Sequence, residues 1–165
     1  MFIPIYSKTN NYPSKSSTGA AGLDIKYLTT AKIKRVTIEG DSYNTEETDE
    51  SFTLYPNERC LIGTGLHIVL PKGYRVDIKG RSGLAWNHGI VISHGVGTGD
   101  EDYLGEYKIM LTNTSVVPYQ INKNDKLAQI MIEKVNEIQW QPISIDELNN
   151  IKTERNDNGF GSTGR

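Results

Sequence analysis

The sequence has few of the residues that build disulfides, metal sites and membrane spans. Its 165 residues include one cysteine, Cys60, which excludes an internal disulfide and a zinc site of four thiolates. The three histidines (67, 88 and 94) lack the spacing of metal ligands. No run approaches the roughly 18 apolar residues of a membrane span, and residues 1–6 are too short and broken for a signal sequence. We therefore expect a soluble, cytoplasmic protein, although a nuclear or viral source would leave the same pattern.

An excess of charge of either sign is also absent. Eighteen basic residues face 20 acidic ones, so no nucleic-acid polymer is expected as a partner. Residues 39–51 are acidic and polar without a core pattern, and we interpret them as an exposed, flexible loop or hairpin insertion where a protein partner could bind. The predicted organisation is one domain over residues 1–154, followed by a flexible tail at 155–165.

Strand patterns dominate what the sequence does contain. Residues 74–79 and 107–112 alternate between apolar and polar side chains, which is typical of half-buried strands. Residues 66–70 and 127–132 are denser apolar runs and predict strands covered on both faces. Frequent turn residues between these strands indicate an all-β fold, either a barrel or a double-sheet sandwich.

Helical signals are confined to residues 144–150, where Ser144 or Asp146 would be the N-cap. Cys60 lies in a run that looks like a strand, so we predict a packed thiol rather than a nucleophile.

Four polar segments that contain glycine interrupt the strands, at residues 21–25, 80–85, 95–106 and 124–129. Each alone is typical of a well-made turn. The third segment resembles a calcium-binding loop, but the twelfth position of such a loop needs a glutamate and here is Leu111.

The tail, residues 155–165, combines three glycines, two hydroxyl residues, two arginines and one phenylalanine. Glycine permits close approach of the backbone to a ligand, arginine and hydroxyls bind phosphate oxygens, and a phenylalanine ring can stack on a base. This mixture indicates a flap that closes over a nucleotide; the alternative is a solvated chain end.

Together and in this order, the four segments and the tail resemble the five signature motifs of the trimeric dUTPase family. The resemblance covers residues 19–165 and implies a β jelly roll, or distorted barrel, whose homotrimer exchanges strands and tails. It also implies active sites at subunit interfaces that hydrolyse dUTP to dUMP and pyrophosphate.

The resemblance further implies the role of each motif residue. Asp100 would orient the attacking water, and Tyr103 would pack against the deoxyribose. Asp24 would act through water near Mg²⁺, which the triphosphate would mainly bind. Arg81 and Asp125 would form an ion pair that fixes the site. Substrate binding is assigned to Arg81, Ser82, Gly83, Gly97, Tyr103, Gln129, Arg155, Phe160, Gly161, Ser162 and Thr163.

Three residues depart from the pattern of the family. Gly99 replaces a bulky aliphatic residue and predicts a looser hairpin, His94 stands where many bacterial members have asparagine, and Asp157 brings a negative charge near the phosphates. A dCTP deaminase of the same fold and a non-catalytic nucleotide-binding module remain the alternatives.

Overall fold

The computed structural model describes residues 2–36, 43–154 and 156–157. These residues form twelve β-strands and two short helices. In chain order they are β1 (Ile5–Ser7), β2 (Leu23–Lys26), β3 (Ala31–Val36), β4 (Tyr43–Thr48), β5 (Phe52–Leu54), β6 (Arg59–Ile68), β7 (Tyr74–Gly80), α1 (Ser82–His88), β8 (Ile90–Ile92), β9 (Gly97–Gly99), β10 (Tyr107–Asn113), β11 (Tyr119–Ile121), β12 (Lys126–Lys134) and α2 (Ile145–Asn150). Neither helix is long and apolar enough to cross a membrane.

The strands pair in three antiparallel sheets, which confirms the all-β prediction. The largest has the order β4-β3-β6-β10-β8, and β1 also pairs with β6. A second sheet has the order β2-β12-β7-β9, and β11 pairs with β5. Sequence neighbours are often not sheet neighbours, so distant segments of the chain meet side by side.

Alternation along the strands directs one set of side chains into a common core. In β10, Tyr107, Ile109 and Leu111 are buried while Lys108 is exposed. Ile33 and Ile62 on the adjoining strands of the same sheet are fully buried. Each such aliphatic side chain stabilises the fold by about 1.5–3 kcal/mol on burial.

The sequence predicted one of the two helices and not the other. Helix α2 is confirmed: Ser144 is its N-cap and forms a reciprocal capping box with Glu147. Helix α1 was not predicted, because it is only seven residues long and begins in a glycine-containing segment whose sequence is typical of a loop. Gly89 ends α1 in the left-handed conformation, with φ 66°, and its amide donates to the carbonyl of Ala85.

The acidic segment interpreted as the exposed end of a flexible loop or hairpin insertion contains a regular strand over residues 43–48, since β4 pairs antiparallel with β3 along the whole of its length. Two of its carboxylates bind cations of β3: Glu46 lies 2.8 Å from Arg35, and Glu47 lies 2.6 Å from Lys32. These charges are therefore partly neutralised within the chain.

Candidate active site

The sheet β2-β12-β7 brings three of the predicted segments together. Gln129 on β12 lies opposite Asp24 on β2 and opposite Lys79 on β7. Arg81 directly follows the end of β7 and reaches back across β12, where its guanidinium donates to the carbonyl of Lys126 at 2.5 Å. Residues separated by about a hundred positions in the chain thus form one polar group.

Asp24 is the anion of this group, and its side chain is about one-tenth exposed. The Nζ of Lys126 lies 2.8 Å from its carboxylate, the Ser16 hydroxyl donates to it at 2.5 Å, and Arg81 Nε lies 4.0 Å away. Burial alone would raise the pKa of Asp24, but the hydrogen bonds from Lys126 and Ser16 and the nearby positive charges outweigh burial and lower this pKa. Asp24 is therefore held as a carboxylate.

The predicted ion pair between Arg81 and Asp125 is wrong. Asp125 instead accepts a hydrogen bond of 2.8 Å from the main-chain amide of Asn122 and so stabilises the turn before β12. That turn contains Asn124 in the left-handed conformation, with φ 69°. The guanidinium of Arg81 instead lies 4.0 Å from the carboxylate of Asp24, which the register of β2 with β12 brings to this end of β7.

Ser82 and Gly83 are exposed in the first turn of α1, beside Arg81. Gln129 lies close to the first predicted segment, since a Cβ on Gly22 would come within 2.1 Å of its Oε1. Its amide nitrogen is 3.5 Å from the carbonyl of Gly80. Ser82, Gly83 and Gln129 therefore belong to the same surface as Asp24.

A second group lines a cavity of about 400 Å³ between β9 and β10. Asp100 and Tyr103 lie in its wall together with the β9 residues Gly97 and Gly99. Its other lining residues are Leu61, Ile78, His94, Thr98, Glu106, Tyr107, Lys108 and Met110. Asp100 is exposed, so water can reach its carboxylate.

Tyr103 is held by its own loop. Its hydroxyl donates a hydrogen bond of 2.9 Å to the carbonyl of Glu106. Gly105 is required by this arrangement, because a Cβ there would lie 2.5 Å from the Tyr103 hydroxyl oxygen. The ring remains 44% exposed and presents a flat surface to the cavity.

Gly99 is not a loose point of the hairpin. A Cβ at this position would lie 2.3 Å from Cε1 of Tyr107, so the tyrosine ring occupies the space that a side chain at position 99 would need. The rings of Tyr107 and Tyr103 meet edge to face with centroids 5.3 Å apart. The expectation of a looser hairpin overlooked this packing.

Asp100 and Arg81 lie near opposite ends of β7. In the pairing of β9 with β7, Gly99 lies opposite Val76, so Asp100 comes next to the beginning of β7. Arg81 and Ser82 follow the other end of this strand. At about 3.3 Å per residue, the strand separates Asp100 from Arg81 by roughly 20 Å.

A model of the dUTPase family matches residues 47–164, which is more than half of the chain. The chain belongs to the dUTPase family. The deoxyuridine 5'-triphosphate nucleotidohydrolase of Finegoldia magna is 36% identical to it over 165 residues, with 99% of each chain covered. That of Wolbachia pipientis from Culex pipiens is 47% identical over 117 residues, which are 71% of this chain and 75% of that protein.

Solved dUTPases share the fold. The Staphylococcus bacteriophage 80alpha dUTPase with bound dUpNHpp has a TM-score of 0.74 at 21% identity, with 99% of each chain covered. The dUTPase of Streptococcus mutans has a TM-score of 0.63 at 18% identity, over 82% of this chain and 94% of that one. The family predicted from the motifs is therefore confirmed.

The tail was predicted to carry the fifth motif. Its predicted substrate-binding residues Arg155, Phe160, Gly161, Ser162 and Thr163 are outside the described residues. Asp157 is described and exposed.

The described residues contain no cluster of three or more His, Cys, Asp or Glu side chains that could hold a metal ion. A magnesium ion carried by a triphosphate would not need such a cluster, because Mg²⁺ keeps several of its waters and takes its other oxygens largely from phosphates. Asp24, kept ionised yet already bound by Lys126 and Ser16, could accept a hydrogen bond from a metal-bound water.

Some residues of the candidate site were not predicted from the sequence. Lys126 and Ser16 bind the motif-one acid, and Tyr107 fills the space beside Gly99. A lysine or serine near a motif carries no signal of its own, because its partner depends on strand register. Cys60 was predicted correctly: it is 2% exposed, and burial raises its pKa to about 12.

Proposed function

We propose that this protein hydrolyses dUTP to dUMP and pyrophosphate. The observation that carries the proposal is the cavity in which an exposed carboxylate, Asp100, lies beside a tyrosine face, Tyr103, and the glycine main chain of β9. Membership of the dUTPase family and the names of the relatives support the same reaction. Nothing in the described residues favours a deaminase.

The chemistry assigns the proton to Asp100. Its carboxylate accepts a proton from a water molecule as the oxygen of that water forms a bond to the α-phosphorus. The bond from the α-phosphorus to the oxygen that bridges to the β-phosphate breaks, and pyrophosphate leaves with the electron pair. Positioning and charge neutralisation supply most of the acceleration in such a reaction.

The nucleoside would lie against Tyr103, and its packing on this ring would leave no room for a ribose 2′-hydroxyl. Main-chain groups of β9 would bind the uracil edge, and a narrow wall would reject the thymine methyl by about 10- to 200-fold. In the tail, Phe160 would stack on the base, a contact of about 1–3 kcal/mol. Arg155, Ser162 and Thr163 would contact the phosphates.

Magnesium is part of this proposal. When bound to the triphosphate, Mg²⁺ neutralises charge on the phosphate oxygens. One related structure, from phage phi11 of S. aureus, coordinates a structural Mg(II) ion. In the present chain Ser82, Gln129 and Arg81 would bind phosphate oxygens, and Asp24 would hold a water of the metal.

A homotrimer would complete the site. Asp100 and the group around Asp24 lie roughly 20 Å apart along β7, which is too far for both to act on one phosphate chain. A site made of the Asp100 cavity of one subunit and the Asp24 group of another would bring them together. The apolar side chains of residues 135–151, among them Ile138 and Trp140, are exposed in the single chain and would be covered by exchange with a neighbour.

The proposed activity also indicates where the protein acts. Because dUTP is an intracellular metabolite, we propose a cytoplasmic location.

Pyrophosphate release from dUTP in the presence of Mg²⁺ tests the activity, with the parent compared with Asp100→Asn. We expect turnover of dUTP in preference to dCTP, dTTP and UTP, and a loss of at least about 100-fold in kcat in the variant. Binding of dUpNHpp by Asp100→Asn is the control for a folded site. Binding without turnover by the parent would instead indicate a regulatory module, and release of ammonia from dCTP would indicate a deaminase.

A further inference from the structure

One side-chain polar atom is buried and unpaired within the described part of the chain, the hydroxyl oxygen of Tyr107. Tyr107 is 3% exposed and belongs to the wall of the cavity that contains Asp100. A buried hydroxyl without a partner destabilises a protein by about 1–3 kcal/mol. A phenylalanine would fill the same space without this penalty. The presence of the hydroxyl therefore indicates a hydrogen-bond partner on a bound ligand.

The surroundings of the hydroxyl indicate what that ligand is. Its oxygen would lie 2.8 Å from a Cβ on Gly99, so it adjoins the hairpin main chain. The ring of Tyr107 meets the ring of Tyr103 edge to face, at an angle of 86°. The hydroxyl therefore lies beside the two surfaces that would receive a nucleoside.

The wall of the cavity also contains the apolar side chains of Leu61, Ile78 and Met110, which suit an uncharged ring better than a phosphate. Burial raises the pKa of Tyr107, and the neighbouring Tyr103 and Asp100 raise it further. The hydroxyl thus keeps its proton at neutral pH and is available as a hydrogen-bond donor.

We propose that the Tyr107 hydroxyl donates a hydrogen bond to a neutral oxygen of the nucleoside when a deoxyuridine nucleotide occupies the cavity. Tyr107 is then a substrate-binding residue in addition to those of the motifs. This inference rests on the proposed function, because that function puts the nucleotide in this cavity.

The test uses Tyr107→Phe, which removes the hydroxyl and keeps the ring. The matched control is Tyr12→Phe, since Tyr12 is half exposed and lies outside the cavity. Titration calorimetry with dUMP and with dUpNHpp gives two dissociation constants for each protein. We expect Tyr107→Phe to raise both constants and the KM for dUTP by about 3- to 10-fold, the usual effect of one neutral hydrogen bond, with a smaller change in kcat. The ligand-free variant should melt at the same temperature as the parent or higher.

Three results would overturn the inference. Unchanged affinity for both nucleotides would mean that the hydroxyl is merely buried. A loss confined to dUpNHpp would place its contact at the phosphates, and a lower melting temperature without ligand would mean that it already has a partner in the free protein. All three leave dUTP turnover by the parent intact, whereas a parent without that turnover refutes the proposed function itself.

Discussion

The main-chain amide of Gly65 donates a hydrogen bond of 2.8 Å to the carboxylate of Glu106. The hydroxyl of Thr29 donates to the same oxygen at 2.9 Å. The carbonyl of Glu106 accepts the hydroxyl of Tyr103. Glu106 therefore joins β6 and the loop before β3 to the tyrosine of the cavity, and it acts as a positioning residue for that ring.

Replacing Glu106 distinguishes a role in positioning Tyr103 from a role in stability alone. We expect Glu106→Ala to lower kcat/KM for dUTP by roughly tenfold and to weaken the preference for dUTP over UTP, because Tyr103 loses its anchored loop. Glu106→Gln keeps the accepting oxygen and should retain most of kcat/KM and most of the preference for dUTP. Steady-state kinetics with dUTP and UTP measure this. A drop in melting temperature with an unchanged preference would show that Glu106 serves stability alone.

Gly99 and Tyr107 should behave as a sterically coupled pair. Gly99→Val forces a side chain into the tyrosine ring, and such overpacking costs about 1–3 kcal/mol. Tyr107→Val removes the ring, so the double variant should be more stable than the sum of the two changes predicts, by about 0.5–3 kcal/mol. Urea denaturation of the four proteins gives this coupling. Strict additivity would mean that the two residues do not share space in solution.

Asp24 should stabilise the fold in a manner that depends on pH. Its pKa in the folded protein is lowered from the usual 3.8, so its contribution is complete above that value and is lost as the pH falls through the folded pKa. We expect Asp24→Asn to cost roughly 1–3 kcal/mol at pH 7, as for hydrogen bonds to a charged group, and the difference from the parent to shrink in acid. Urea denaturation at several pH values measures it, with the exposed Asp146→Asn as control. A difference that stays constant into acid would contradict the assignment.

Mixing subunits tests whether the site is shared. Asp100→Asn and Ser82→Ala should each be weakly active as pure proteins. In the proposed trimer one subunit supplies the Asp100 cavity and another supplies the phosphate-binding residues around Asp24. Refolding the two variants together should then create some intact sites and restore part of the activity. Each protein mixed with itself is the control. Mixtures no more active than the mean of their components, despite proven exchange, would place both groups of one site on the same chain.

Local patterns predicted much of the fold. The alternation in β7 and β10 and the capping signal at Ser144 depend on residues close in sequence, and the structure has these elements. Helix α1 escaped prediction because its glycine-bearing start resembles a turn and its stability comes from packing of Leu84 and from the Gly89 cap.

The sequence predicted which segments form the site, but not which of their residues contact one another. The motifs identify Asp24, Arg81 and Asp100 by their order along the chain. That Arg81 contacts Asp24 rather than Asp125 depends on the register of β2 with β12, which no local pattern encodes. Tyr107 looked like an ordinary strand residue, because an unpaired hydroxyl is visible only when its surroundings are known.

The length of β7 has a consequence for inheritance. When normal and Asp100→Asn copies are expressed equally and assemble at random, about half of the sites lack the carboxylate, since each proposed site takes one Asp100. A single gene copy with lesions at both ends of β7 does more harm, because only about a quarter of the sites then draw both groups from normal subunits. Under the proposed assembly, the severity of a mutant allele thus depends on how its lesions are distributed along one strand.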